Sequence, residues 1–395
     1  MTTRSGRYVQ QATGYKAFVP APLPPDPPVQ IDGPLLALLS RADQAIGRLD
    51  GVGEMLPNPD LFVAMYVRRE AVLSSQIEGT QSSLDDVLSF ELDPRGVELP
   101  QDIEEVVNYI RAMNYGRTRL VTLPLSLRLV REIHAELLRD VRGADRHPGE
   151  FRTSQNWIGP TNAPLSRATF VPPPIHAMHE SLDNFERFLH QQDDLATLVK
   201  CGLAHAQFET IHPFLDGNGR VGRLLITFLL VHYDVLRRPL LYLSLYLKHH
   251  RTEYYTRLMA VRDQGDWEGW LQFFLRGVAE TAQESTATAR AILSLRERHR
   301  ALIQERRLGA NGAGPRLLDL LFQQPLINVN LVKDVLGLNY LPANRLVNQF
   351  EQARLIEEIT GGQRNRRYRY NSYLDLFDER REMLTPSTAV TESGS

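Results

Sequence analysis

A single cysteine in 395 residues, Cys201, leaves no partner for an intramolecular disulfide and no second thiolate for a Cys-based zinc site. Neither sign of charge dominates. Lys+Arg 45 against Asp+Glu 47 gives a formal charge of −2, so no global basic field exists to hold nucleic acid or an anionic membrane. No apolar run approaches the roughly 18–20 residues of a membrane span. The amino-terminal MTTRSGRYVQQ lacks the apolar stretch of a secretory signal. These absences predict a soluble chain of a reducing cytoplasm, with no membrane partner. What is present is ordinary for a globular protein: 43% hydrophobic and 23% charged residues, over a length suited to roughly two or three domains.

Seven prolines in VPAPLPPDPPVQIDGP (19–34) predict that residues 1–33 are an extended lead-in rather than a folded element. Helical periodicity begins at 34–49 and resumes at 59–79, where Pro59 marks a start and Gly79 a stop. Further helices are expected at 81–91, 101–115, 125–140, 175–191, 194–209, 219–235, 250–263 and 267–307. Strand patterns are almost absent before residue 310, ATFVPPPI (168–175) being the exception. LGANGAGP (308–315) is the clearest domain break. Beyond it, residues 316–378 read as three short helices and a hairpin turning at Gly361-Gly362, the pattern of a winged helix-turn-helix. The polar tail 385–395 is expected to be disordered. The fold class is therefore mainly α: a helical region 34–99, a helical core with trailing helices 100–307, a short β flap, and a small C-terminal winged helix.

The segment IHPFLDGNGRVGRLL (211–225) carries the chemistry. Glycines and exposed backbone N–H groups at a helix N-terminus make an anion site. Arg220 and Arg223 lie three apart, share a helical face and can both reach a polyphosphate. Asp216 is a hard oxygen ligand suited to Mg²⁺, which keeps water and phosphate as its other ligands. His212 stands where a base could act on a group attacking that phosphate. Gly217–Gly222 also spells G-N-G-R-V-G, a literal match to the dinucleotide fingerprint. That fingerprint needs a preceding strand within a βαβ unit, and LATLVKCGLAHAQFETI before it is helical in period. Walker A, HExxH and kinase signatures are absent.

HPFLDGNGRVGR (212–223) resembles the signature of Fic-domain proteins, H-x-F-x-[D/E]-G-N-G-R-x-x-R, and meets it at every fixed position. SLRLVREIHAELLRDVRG (126–143), GEFR (149–152) and RTEYYTRL (251–258) are similar to segments of the same core. The resemblance implies a Fic core over about 100–280 that transfers AMP from ATP to a Ser, Thr or Tyr hydroxyl of a target protein. Position by position, it implies His212 as general base, Phe214 as anchor of the loop, and Asp216 as the Mg²⁺ ligand. Gly217, Asn218 and Gly219 would surround the α- and β-phosphates, and Arg220 and Arg223 would hold the β- and γ-phosphates. Val221 and Gly222 lie between these arginines in the same nucleotide-binding turn. Tyr254 and Tyr255 sit where such proteins place residues around the adenine, with plain core aromatics as the alternative. ATFVPPPI is similar to the flap that aligns a target's backbone by strand addition.

SSQIEGT (74–80) resembles the family's inhibitory motif, [S/T]-x-x-x-E-[G/N], with Ser74, Glu78 and Gly79 at its defined positions. The resemblance implies that Glu78 pairs with Arg223 and denies that fork to the γ-phosphate, since a bidentate carboxylate competes directly for it. Transfer of another nucleotide, such as UMP, is an alternative. So is a DNA-binding regulator that uses the core as a nucleotide sensor. The turn 361–370, with Arg364, Arg366, Arg367 and Arg369, could contact phosphate. The recognition helix expected at 341–353 has one arginine and one glutamate, a charge poor for DNA, which favours a protein-contact or homodimer role.

Overall fold

The structure is a computed structural model that describes residues 2–12, 14–55, 59–94, 98–160, 164–362 and 364–378. The expected disordered tail 385–395 lies outside the described residues. The chain divides into two compact units, one of residues 1–59, 65–87 and 98–286, the other of 60–64, 88–97 and 287–395. The division falls inside one continuous helix, not at the glycine-rich 308–315. A helix that passes between units needs no glycine or proline to mark the crossing.

The first unit opens with strands where the prolines suggested none. β1 (Thr2–Thr3), β2 (Gly6–Gln10) and β3 (Lys16–Pro20) form an antiparallel meander in the order β1-β2-β3, with Tyr8 opposite Phe18. Only the proline-rich stretch after residue 20 is irregular. RYVQ and KAFVP are too short to stand out by pattern. Their pairing is supported by burial of Ala17 and Phe18 and by an edge contact of the Tyr8 and Phe18 rings, contacts that sequence alone does not reveal.

Helices follow: α1 (Gly33–Met55), α2 (Pro59–Ile77), α3 (Leu84–Leu92), α4 (Ile103–Arg119), α5 (Leu127–Leu137), α6 (Ile175–His190), α7 (Thr197–Ile211) and α8 (Asn218–His232). Then come α9 (Ser244–His249), α10 (Arg251–Gln264) and the long α11 (Trp267–Glu305). Ser126 caps α5 by accepting the Leu129 N–H, satisfying one of the orphan donors of its first turn. α7 and α8 pack on each other, α4 and α5 lie against α8, and α6 and α10 lie against α7. From Leu198 to Ile211 every residue of α7 is buried. A helix buried on every side belongs at the centre of a core, where each buried Leu, Val or Phe contributes about 1.5–3 kcal/mol, and its buried Lys200, His205, Gln207, Glu209 and Thr210 make it polar in part. Cys201 is part of this core, and burial pushes its thiol up to about 12, as suits a structural rather than a reactive cysteine. Among the described residues no helix is long and apolar enough to cross a membrane.

The expected flap strand is reduced to one bridge between Ile158 and Phe170 before three prolines lead into α6. Its main chain is already largely engaged. Phe18 N–H donates to Val171 O at 2.9 Å, Gln155 to Pro172 O at 3.0 Å, and Arg152 to Pro173 O at 2.5 Å. The prolines contribute no N–H, so little is left for an added strand.

The second unit contains α12 (Ala313–Gln323), β4 (Leu326–Asn328), α13 (Val329–Leu336), α14 (Tyr340–Gln352), β5 (Glu357–Glu358), β6 (Arg367–Arg369) and α15 (Asn371–Leu374). The strands are antiparallel in the order β4-β6-β5. Two of the four turn arginines are already paired with carboxylates. Arg367 is buried with a carboxylate of Asp93 at 3.6 Å, and Arg366 pairs with Glu351 at 2.8 Å.

Candidate active site

The loop between α7 and α8 is held from several sides. His212 ends α7 in the left-handed region (φ +49°, ψ +61°) while its N–H still donates to Phe208 O. A non-glycine residue keeps that conformation only where its surroundings impose it. Here Arg152, itself buried, donates through Nε to His212 O at 3.0 Å, and its N–H donates to Pro213 O at 2.9 Å. Asn156 donates to Phe214 O at 2.7 Å. The Phe214 ring is fully buried and stacks on His134 at 3.7 Å and 4°. Asn218 closes the loop with its side chain, accepting Phe214 N–H at 2.9 Å and donating to Phe214 O at 2.8 Å. His134 accepts Gly149 N–H at Nδ1, which leaves Nε2–H to donate to Asp216 O at 3.0 Å. Burial holds that ring neutral by pushing its pKa down to about 4.

The loop and the first turn of α8 line an open cleft of about 330 Å³ together with Glu78 and Arg142. Burial, then the charges of Arg262 and Arg152, push His212 down to about 3, and the opposing pull of the Glu209 carbonyl and the Glu78 charge does not offset them. Among the described residues its buried Nδ1 has no hydrogen-bond partner of normal geometry, and the Glu209 carbonyl acts on the ring only weakly. The ring is therefore a neutral imidazole at ordinary pH, the form in which a histidine can accept a proton. Asp216 accepts the N–H of Gly217 at 2.5 Å through Oδ1 and keeps 40% of its side chain exposed. Among the described residues no group of three or more His, Cys, Asp or Glu side chains could enclose a metal. A lone carboxylate with one oxygen open to a cleft fits Mg²⁺ held chiefly by phosphate and water.

The two arginines differ. Arg220 is buried, donates through Nη1 to Glu105 Oε2 at 3.1 Å, and leaves Nε without a partner. Arg223 is engaged at two of its three nitrogens: Nε donates to Ser74 Oγ at 2.7 Å, and Nη2 to Ser74 O at 3.0 Å and to Glu78 Oε1 at 2.7 Å. The expected bidentate Glu78 clamp is thus a shared one, in which a single Glu78 oxygen takes one nitrogen and Ser74 takes both that nitrogen and Nε. Burial pushes the Glu78 carboxyl up, but the charge and hydrogen bond of Arg223 outweigh it and hold the group below its ordinary range. Burial likewise opposes the Arg223 charge, and Glu78 outweighs it, holding the guanidinium above its usual value. Glu78 stands just past the end of α2, where the chain turns through Gly79 (φ +102°). Its Oε1 lies so close to Gly219 that a Cβ there would collide with it.

Val221 and Gly222 face inward in α8 and do not line the cleft, the Gly222 carbonyl being bonded to His205 Nδ1 at 3.0 Å. Tyr254 departs from the expected adenine contact. It is buried in an aromatic cluster with His205, Trp270 and Phe273, and its hydroxyl meets His205 Nε2 at 2.9 Å. Tyr255 remains 40% exposed. Glu105, His134, Asn156 and Arg152 escape a motif-based reading, although GEFR contains Arg152. Glu105 is written as an ordinary acidic residue of a helix's first turn, and nothing in IEEVV marks it as buried.

Residues 36–118 match the sequence profile described as Fic/DOC family N-terminal, and residues 124–230 that of the Fic/DOC family. Over 186 residues, 46% of this chain, the protein adenylyltransferase Fic of Drosophila grimshawi is 29% identical and that of Drosophila mojavensis 28% identical. Those stretches are 34% and 32% of the relatives, so the chain spans about a third of their length. A crystal structure of a Fic family protein from Desulfovibrio desulfuricans superposes with a TM-score of 0.57 at 21% identity, covering 87% of this chain and 97% of that one. Fic-1 from C. elegans gives 0.50 at 19% identity, covering 66% and 73%. The helical fold is shared with these structures, and the matched stretch 124–230 contains the whole loop from His212 to Arg223: the chain carries a Fic N-terminal region followed by a Fic domain.

Proposed function

We propose that the protein is an adenylyltransferase that moves AMP from ATP to a Ser, Thr or Tyr hydroxyl of another protein. The reading is carried by one observation: a neutral His212 beside the N-terminus of α8, with Asp216 and Arg220 on the same cleft. The names of the Drosophila relatives support the choice of ATP. The hydroxyl oxygen bonds to the α-phosphorus, the bond to the bridging oxygen of the β-phosphate breaks, and pyrophosphate leaves. The hydroxyl proton passes to His212, whose Nε2 is the nitrogen remaining once Nδ1 is buried. The α8 N-terminus and Arg220 stabilise the charge that gathers on the phosphates. Asp216 would hold Mg²⁺, which supplies Lewis-acid neutralisation of the same charge when bound.

In this reading the enzyme restrains itself. Glu78 and Ser74 occupy Arg223, so the γ-phosphate has no fork to bind. A target can approach over residues 168–175, although the few open main-chain groups there argue against a long added strand. The order α12–β4–α13–α14–β5–β6 supports a winged-helix reading of the C-terminal unit, and the engaged Arg366 and Arg367 give no support to DNA binding. Incubation of wild type, Glu78→Gly and His212→Ala with Mg²⁺ and ATP labelled at the α-phosphate tests the proposal. Label should appear on protein in Glu78→Gly far above wild type and not in His212→Ala. Label in His212→Ala overturns the base assignment, and none in Glu78→Gly overturns AMP transfer.

A further inference from the structure

We propose that Arg142 is a further polyphosphate-binding residue of the cleft, beside Arg220 and Arg223, a proposal that rests on the nucleotide-site reading above. Arg142 lies in the loop after α5 and lines the cleft together with Asp216 and Gly217. Its Nη2 donates to Glu105 Oε2 at 3.1 Å, the oxygen that also accepts from Arg220 Nη1. One buried carboxylate therefore ties a buried cation to an exposed one, with side-chain exposures of 2% for Arg220 and 62% for Arg142. The loop is fixed where it matters. Gly143 (φ +91°) approaches Asp216 so closely that a Cβ would lie 3.0 Å from Oδ2.

The charges decide what this arrangement recognises. Arg220 spends a nitrogen on Glu105 and has no exposed stem with which to follow a ligand, and Arg223 is covered. Arg142 is the cation on this cleft that keeps nitrogens toward solvent and a flexible stem, tethered at one point only. A guanidinium so placed, beside Asp216 and the first turn of α8, offers a fork that matches phosphate oxygens. The ligand class is a di- or triphosphate chain.

The test uses the full chain carrying Glu78→Gly, with and without Arg142→Ala, and measures binding of inorganic tripolyphosphate and of ATP by calorimetry in Mg²⁺. Arg142→Ala should weaken both about tenfold, as expected for one charged hydrogen-bonding contact, while Arg142→Lys recovers part of the loss. Tripolyphosphate affinity within about twofold of the parent, or no tripolyphosphate binding by the parent, overturns the proposal. Dependence on Arg142 in a protein that transfers no AMP would sustain the phosphate role and sink the proposed activity. AMP transfer with Arg142-independent binding would do the reverse.

Discussion

At the Arg223 end of the cleft the guanidinium is 2% exposed and its bonds go to Ser74 and Glu78, whereas at the other end Asp216 and Arg142 keep 40% and 62% of their side chains in solvent. Both ends pair arginine with carboxylate. They differ in what a phosphate would meet on arrival. The open end presents ligands whose partners are few and displaceable, and the closed end presents a cation with Nε and Nη2 already bonded. An ion pair under partial burial is therefore informative less for its own stability than for what it withholds. Glu78 is itself about a third exposed, so solvent can compete for its contact with Arg223.

The contrast can be broken from either side. Removing the proposed base has the largest expected effect: His212→Ala should lower transfer by about 10²–10⁴-fold, with ATP binding nearly unchanged. Opening the closed end comes next. Glu78→Gly should raise transfer by about ten- to a hundredfold, the equivalent of one charged hydrogen bond of about 1.5–3 kcal/mol. Unchanged turnover would mean that Arg223 is not the missing contact. Ser74→Ala keeps the carboxylate but strands Arg223 Nε, which is buried and bonded only to Ser74 Oγ. Thermal unfolding should then report a loss of about 1–3 kcal/mol, with a smaller gain in transfer than Glu78→Gly gives.

The smallest expected effect is an absence of pH dependence. His212 is pushed far below the ordinary histidine value, to about 3, so its ring stays neutral as pH falls from 8 to 6. Removing Glu78 takes away an influence that favours the protonated ring, which shifts the group further in the same direction. The kcat/KM of Glu78→Gly for ATP should therefore show no acid limb near 6.5. A limb there would place the imidazole in water, outside the burial that Phe214 and Arg152 impose.

Much of the candidate site could be read directly, because HPFLDGNGRVGR concentrates a histidine, a metal-suited carboxylate, a phosphate-suited helix start and two cations within twelve positions. The helices were legible for a similar reason, since their apolar spacing is local. The meander of β2 and β3 was not, because its support is Phe18 against Tyr8 and Phe170, and Phe170 lies far along the chain. Tyr254 and Tyr255 are neighbours in sequence with opposite fates, one locked to His205 and one facing solvent, and only the orientation of α10 chooses between them.

Local order therefore determined which residues could do chemistry and roughly where the helices run, since motif spacing and periodicity are properties of adjacent residues. Tertiary structure decided which of those residues are available. Glu105 reaches Arg220 across 115 positions, Ser74 reaches Arg223 across 149, and the charge state of His212 follows first from its burial and then from the charges of Arg262 and Arg152. Burial and long-range pairing set solvation and pKa, and a linear pattern does not encode which distant groups will share the same low-dielectric space.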